Sequence, residues 1–254
     1  MYRVVLIDDE KIIVDGLTRV IKWADYNCEV VGAAYDAAGG AALIRRLKPH
    51  IVFTDIKMPD QDGLTMLAGL KSEFPEMQIA VLTGYRDFNY AQEAIKLGVT
   101  RFLLKPSKMD ETHEALSAMK ERLDKLPPDA AAGEDEPCLD RHAGSFIVNQ
   151  ATAYIEEHYA QKLTLQEVAD KCYVSQWHLS KLINKYTGKY TGNTFYELLN
   201  NVRIEKAKAL LNDQKLKIGD IVDMVGYSDA AHFSRVFKRI VGVSANEYRN
   251  SMEY

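Results

Sequence analysis

The chain has 254 residues, of which 47% are apolar and 27% charged; this is the balance of an ordinary globular protein and excludes collagen-like, disordered and mucin-like classes. At roughly 100 to 200 residues per domain, the length suggests two domains. Three cysteines, Cys28, Cys138 and Cys172, form no CxxC pair, so neither a disulfide framework nor a zinc ribbon is supported. No apolar run approaches the roughly 20 residues that span a bilayer. Met1 opens directly into an apolar segment without signal-peptide grammar, so a reducing, cytoplasmic location with no membrane partner is expected.

The formal charge of −4 is unevenly spread. Residues 1–125 hold 17 Lys and Arg against 19 Asp and Glu, residues 126–142 hold 1 against 5, and residues 143–254 hold 14 against 12. The acidic middle, with Pro127, Pro128 and Pro137 around three alanines, lacks apolar periodicity and reads as a linker over 125–145. It separates a domain at 1–124 from another at 146–254.

In the first segment, short apolar runs at 3–8, 28–34, 50–55, 78–82 and 100–104 are each followed by an amphipathic, helical pattern. The runs are continuously apolar, as strands buried on both faces must be, which predicts a parallel sheet with helices on either side. Chemistry in such sheets gathers at the carboxyl ends of the strands. There the sequence places Asp8, Asp9 and Glu10, then Asp55, Thr83 and Lys105. Carboxylates converging on one rim repel one another unless a cation intervenes, and a hard divalent ion with oxygen ligands, most plausibly Mg²⁺, resolves that repulsion. A metal-assisted phosphoryl site is implied. Gly63 suits the tight turn that opens the next helix.

The motifs LIDDE at 6–10, TDIKMPDQDG at 54–63, LTGY at 82–85 and LLKP at 103–106 resemble the receiver domain of two-component response regulators. The resemblance implies a flavodoxin-like (βα)5 fold with Asp55 as phosphoacceptor. It also implies Asp8, Asp9, Asp55 and the Lys57 backbone carbonyl as Mg²⁺ contacts, Thr83 as the hydroxyl that closes on the phosphoryl group, Lys105 as its cationic partner, and Phe102 as the switch aromatic. The Lys105–Pro106 bond resembles a cis peptide of that family. Lys57 and Tyr85, each two residues beyond a site residue, flank the path of a hydrolytic water, and we expect them to slow loss of the phosphoryl group.

The segment 143–254 is helical by pattern and contains a repeat. Leu165-Gln166-Glu167-Val168-Ala169 recurs as Ile218-Gly219-Asp220-Ile221-Val222 at an offset of 53, and Leu179-Ser180-Lys181-Leu182 recurs as Phe233-Ser234-Arg235-Val236 at an offset of 54. Each unit reads as a short helix, a tight turn ending in Ser, and a second helix which that Ser could cap. This is the grammar of a helix-turn-helix, here near 164–187 and 217–241. The spacing of Phe233, Val236, Phe237 and Ile240 marks them as core.

SQWHLSKLINKYTG at 175–188, NNVRIEKAKALL at 200–211 and VGYSDAAHFSRVFKRIVGVSANEYR at 225–249 are similar to the DNA-binding domain of AraC-type transcription regulators. The whole chain then resembles a two-component transcription regulator. Its partners would be a sensor histidine kinase, double-stranded promoter DNA and RNA polymerase, with homodimerisation on phosphorylation plausible. Gln176, Trp177, Ser180 and Lys181, and Asp229, Ala230, His232 and Arg235, are the implied base or phosphate contacts; Lys185, Lys238 and Arg239 favour phosphates. Trp177 is either packed or exposed against a thymine. The stretch 189–194 is longer than the family's usual link and bears on where the next helix begins. The resemblance implies no enzyme beyond phosphotransfer to, and hydrolysis from, Asp55. Two other readings stay open on sequence: a phosphohydrolase, for which a DxD nucleophile pair is missing after Asp55, and a binding module indifferent to phosphorylation.

Overall fold

The computed structural model describes residues 1–58, 61–84, 88–126, 138–186 and 194–251. The chain divides into two compact units, Met1–Ile147 with Cys172–Val174, and Val148–Lys171 with Ser175–Tyr254. Among the described residues, no helix is long and apolar enough to cross a membrane.

The first unit runs β1 (Tyr2–Ile7), α1 (Lys11–Val20), a 3-10 turn at Trp23–Tyr26, β2 (Cys28–Ala34), α2 (Ala37–Leu47), β3 (Ile51–Thr54), a short hairpin of β4 (Lys57–Met58) and β5 (Gln61–Asp62), α3 (Gly63–Glu73), β6 (Gln78–Thr83), α4 (Phe88–Lys96), β7 (Arg101–Leu104) and α5 (Met109–Asp124). The expected strands form one parallel sheet in the order β2-β1-β3-β6-β7. From β1 the chain goes to one side for β2 and to the other for β3, so a topological switch point opens between the carboxyl ends of β1 and β3, where ligand sites form in such sheets.

Burial explains the unbroken apolar runs. Val4, Leu6, Phe53, Leu82 and Leu103 meet Val14, Trp23, Leu116 and Met119 on one face, with Trp23 set edge-on to Phe53 at 5.8 Å. Val5, Ile7 and Val52 are fully buried on the alternate positions. Each such side chain contributes roughly 1.5–3 kcal/mol relative to exposure.

Two strand limits need correction. β1 and β3 end at Ile7 and Thr54, so Asp8 and Asp55 sit one residue past them, as Lys105 sits past Leu104, the expected end of the last run. The sheet still anchors their backbones: Asp8 N–H donates to the Ala34 carbonyl (3.1 Å), Asp55 N–H to Ile7 (2.9 Å) and Lys105 N–H to Thr83 (2.9 Å). Gly63 is already the first residue of α3, and it is required by contact: a Cβ there would lie 2.0 Å from the Ile56 carbonyl oxygen.

The remaining elements are α6 (Cys138–His158), α7 (Leu165–Lys171), α8 (Gln176–Tyr186), α9 (Phe195–Leu210), α10 (Ile218–Met224), α11 (Ala230–Val241) and α12 (Ala245–Asn250). Helix α6 begins inside the stretch expected as linker. Its buried positions Ala143, Ile147, Ala151 and Ile155 recur every fourth residue, a helical stripe that composition alone conceals. Residues 127–137 of that linker lie outside the described residues. The repeat is carried into the fold: α7 and α10 are both seven residues long. The buried Val168 and Ala169 match Ile221 and Val222, and Leu179, Leu182 and Ile183 match Phe233, Val236 and Phe237. Both inner turns pass through the left-handed region, at Tyr173 (φ 53°) and Gly226 (φ 85°). Phe195, Leu198, Val202 and Ile204 are buried along α9, which packs against α10 and α11.

Candidate functional site

Four strand ends bring the expected receiver residues together. Ligand oxygens of Asp8, Asp9 and Asp55 all lie within 4.8 Å of one another, with Asp8 and Asp55 buried and Asp9 exposed. Lys105 Nζ stands 2.7 Å from Asp55 Oδ2, 2.7 Å from Asp8 Oδ2 and 3.4 Å from Glu10 Oε1. The Lys57 backbone N–H donates to Asp55 Oδ1 (3.1 Å), and the Glu10 N–H donates to Asp8 Oδ1 (3.0 Å). Thr83 is buried at the end of β6. Glu10, which the sequence places on this rim beside the Asp pair, is exposed and adds the longest of the three contacts to Lys105.

The electrostatics follow from burial against pairing. Burial pushes the Asp8 carboxyl up, and the hydrogen bonds from Lys105 and the Glu10 amide only partly oppose this. Burial also disfavours charge on Lys105, but hydrogen bonds to the Asp55 and Asp8 carboxylates outweigh it and hold the ammonium well above its ordinary range. Asp8 Oδ2 is fully buried and faces the Lys105 ammonium at 2.7 Å. Three carboxylates whose oxygens gather this closely suit a hard divalent ion with oxygen ligands, so these residues fit one.

Phe102 is half-buried on β7, beside Val81 of β6. A shallow cleft near the strand ends is lined by Ile56, Lys57, Thr83 and Tyr90. Tyr85, expected to shield the acceptor, lies outside the described residues, while the Lys57 side chain is exposed. The Lys105–Pro106 peptide is cis.

In the second unit the implied contact residues Gln176, Trp177, Ser180, Lys181, Lys185, Asp229, Ala230, His232, Arg235, Lys238 and Arg239 are all exposed. Trp177 is 72% exposed, with Lys181 Nζ 5.6 Å from its ring centroid, so it is not packed. Ile240 is only partly buried beside the core of Phe233, Val236 and Phe237. The Ser175 hydroxyl accepts from the His178 N–H at the start of α8, as expected (3.2 Å). At α11 the cap is Asp229 and not the preceding Ser228: its carboxylate accepts from the N–H groups of Ala231 (2.9 Å) and His232 (3.2 Å). Thr194 and Glu197 form a capping box that starts α9, and residues 189–193 of the 189–194 extension lie outside the described residues.

A phosphoryl-type acidic rim on a doubly wound sheet and a tandem pair of helix-turn-helix units define a signalling protein with a DNA-binding module. Residues 4–117 match the family model of the response regulator receiver domain, and residues 168–251 match a helix-turn-helix domain. An uncharacterized response regulatory protein of Staphylococcus epidermidis is 32% identical over 253 residues, covering 98% of each chain. The transcriptional regulatory protein HptR of Staphylococcus aureus is 29% identical over 98% of each. The solved receiver domain of AraT, a response regulator from Geobacillus stearothermophilus, shares 38% identity over 49% of this chain and 96% of its own, with a TM-score of 0.47. The chain belongs to the response regulators: it is a two-component, DNA-binding transcription regulator with an AraC-type helix-turn-helix domain. Its domains are those of a regulator and not of a catalytic family.

Proposed function

We propose that Asp55 accepts a phosphoryl group from a partner histidine kinase and that this modification changes how the C-terminal domain binds promoter DNA. The observation that carries the reading is the convergence of Asp8, Asp9 and Asp55 within 4.8 Å, with Lys105 Nζ 2.7 Å from Asp55. Asp8, Asp9, Asp55 and the Lys57 carbonyl would hold Mg²⁺, which when bound neutralises charge on the transferring oxygens. Asp55 supplies the attacking carboxylate oxygen, and the new P–O bond forms as the donor's bond to phosphorus breaks. Lys105, already paired with Asp55, follows the charge onto the phosphoryl oxygens, and the Thr83 hydroxyl donates to them. Phe102 then turns inward. The only chemistry is transfer to, and hydrolysis from, Asp55, so the chain is not a turnover enzyme.

At the DNA, Gln176, Trp177, Ser180 and Lys181 of α8 and Ala230, His232 and Arg235 of α11 face the grooves, while Lys185, Lys238 and Arg239 hold phosphates. Asp229 acts first as the cap that fixes the start of α11. The domain limits 1–124 and 146–254, a cytoplasmic location, contact with RNA polymerase and dimerisation on phosphorylation belong to the same reading. Intact-mass measurement after incubation with acetyl phosphate and Mg²⁺ tests it: the full chain gains one phosphoryl group and Asp55→Asn gains none. Equal gain in both would defeat the assignment of Asp55.

A further inference from the structure

The two helix-turn-helix units differ in one set of polar contacts. In the first, Gln166 on α7 donates from Nε2 to Asp170 Oδ1 (2.6 Å), and its Oε1 accepts from Nε2 of Gln176, the first residue of α8. The corresponding residues of the second unit are Gly219, Asp223 and Ala230, which cannot make this chain.

The directions in the chain are forced. An ionised carboxylate only accepts, so Asp170 fixes the Gln166 amide with its NH₂ toward α7 and its carbonyl oxygen toward α8. The Gln166 oxygen in turn takes one N–H of Gln176. What Gln176 has left to offer is one N–H and its carbonyl oxygen, a single donor beside a single acceptor. The Ser175 cap holds the backbone at this residue, so the remaining freedom is the side chain itself. Adenine presents N7 as acceptor and N6 as donor in the major groove, whereas guanine presents N7 and O6, both acceptors.

We propose that the Asp170–Gln166–Gln176 relay positions Gln176 to read an adenine, which makes Gln166 and Asp170 specificity-determining positioning residues and the first unit the stronger reader of sequence. The inference rests on the reading that the start of α8 enters the major groove. In water an exposed amide pair contributes little, but groove insertion removes the competing water and leaves the fixed direction to act.

Asparagine at 170 can donate as well as accept, so Asp170→Asn allows the whole chain to reverse. Gln166 then donates to Gln176 Oε1, and Gln176 turns two N–H groups to the base, an arrangement suited to guanine. Asp170→Glu keeps an acceptor-only group and restores direction.

The test uses the full-length protein on a site obtained by selection from random duplexes, with fluorescence anisotropy on every single A·T to G·C replacement. Gln176→Ala identifies the base pair that this residue reads. There the wild type loses about 10-fold on replacement, Gln166→Ala and Asp170→Asn lose no more than about 2-fold, Asp170→Glu returns most of the preference, and other positions and the salt slope are unchanged. Full adenine preference in Asp170→Asn, or a uniform loss at every position, overturns the relay. A wild type without preference anywhere overturns the placement of α8 together with the relay, which separates the two failures.

Discussion

The acidic rim of the first unit and the recognition helices of the second are built in opposite ways. The rim gathers the buried Asp8 and Asp55 and the half-buried Lys105 from separate strand ends into a cluster in which Lys105 Nζ stands 2.7 Å from both carboxylates. The recognition helices display their polar residues along one exposed face, above a buried stripe that makes the helix stand. The first arrangement carries charge repulsion and pairing before any ligand arrives; the second acquires meaning only against a duplex. Substitutions should therefore be severe and local in effect at the rim, and graded along the helices.

The largest effect is expected where neither arrangement is touched directly. Phe237 is fully buried on α11, and Phe237→Ala should destabilise the helical unit by about 3–5 kcal/mol. Thermal unfolding by circular dichroism and operator binding should both register it, while phosphoryl uptake at Asp55 persists because the first unit has its own core. Loss of uptake as well would merge the two regions into one cooperative unit.

At the rim, Lys105→Met removes the cation paired with both Asp8 and Asp55, and phosphorylation by acetyl phosphate should slow about 100-fold, in the range seen when one preorganised donor is lost. A slowdown below about 3-fold would mean that Lys105 only relieves repulsion between Asp8 and Asp55. The caps offer a smaller contrast between the two units. Asp229→Ala frees two amides at α11 and should cost about 1 kcal/mol, Ser175→Ala frees one at α8 and should cost less; the reverse order in urea denaturation would contradict the assignment of Asp229 as the principal cap. Lys238→Ala should weaken all duplexes alike and reduce the slope of log K against log salt by about 0.9.

Acid exposes a further, smaller difference. Hydrogen bonds within the Thr164 and Ser244 capping boxes hold Glu167 and Glu247 below the ordinary glutamate range. Their contribution is fully present above the ordinary pKa of about 4.3 and is lost as pH falls through the depressed folded values. Burial raises Asp8 instead, so its contribution runs the other way, greatest below the ordinary carboxylate pKa and lost as pH rises through the folded value. In the first unit, hydrogen bonds from Lys125 and Lys120 hold Glu121 and Asp124 low in the same way, so unfolding followed from pH 5 down to pH 3 should show both units losing stability, with Asp8 opposing the loss in the first.

How far the sequence reveals these sites follows from the same contrast. Strand ends are marked by a change from apolar runs to Asp, Thr and Lys, so Asp55, Thr83 and Lys105 were readable with their neighbours, as was the tandem repeat with its buried positions. The start of α6 was hidden because the helix opens in an acidic, Pro- and Ala-rich stretch that reads as linker, and its first described buried position, Ala143, is small. The Asp229 cap was hidden because Ser228 beside it is chemically as suitable, and only backbone geometry chooses between them. The exposure of Trp177 and the bond from Gln166 to Gln176 depend on side-chain placement across a turn, which periodicity does not encode.

The central claim is that one covalent charge at Asp55 alters DNA binding. Fluorescence anisotropy on a selected operator duplex, with full-length protein whose phosphoryl gain has been verified by mass, tests it directly. Wild type treated with acetyl phosphate and Mg²⁺ should change its operator affinity severalfold, and Asp55→Asn treated identically should not change. Identical affinity for the phosphorylated and unphosphorylated wild type would contradict the account.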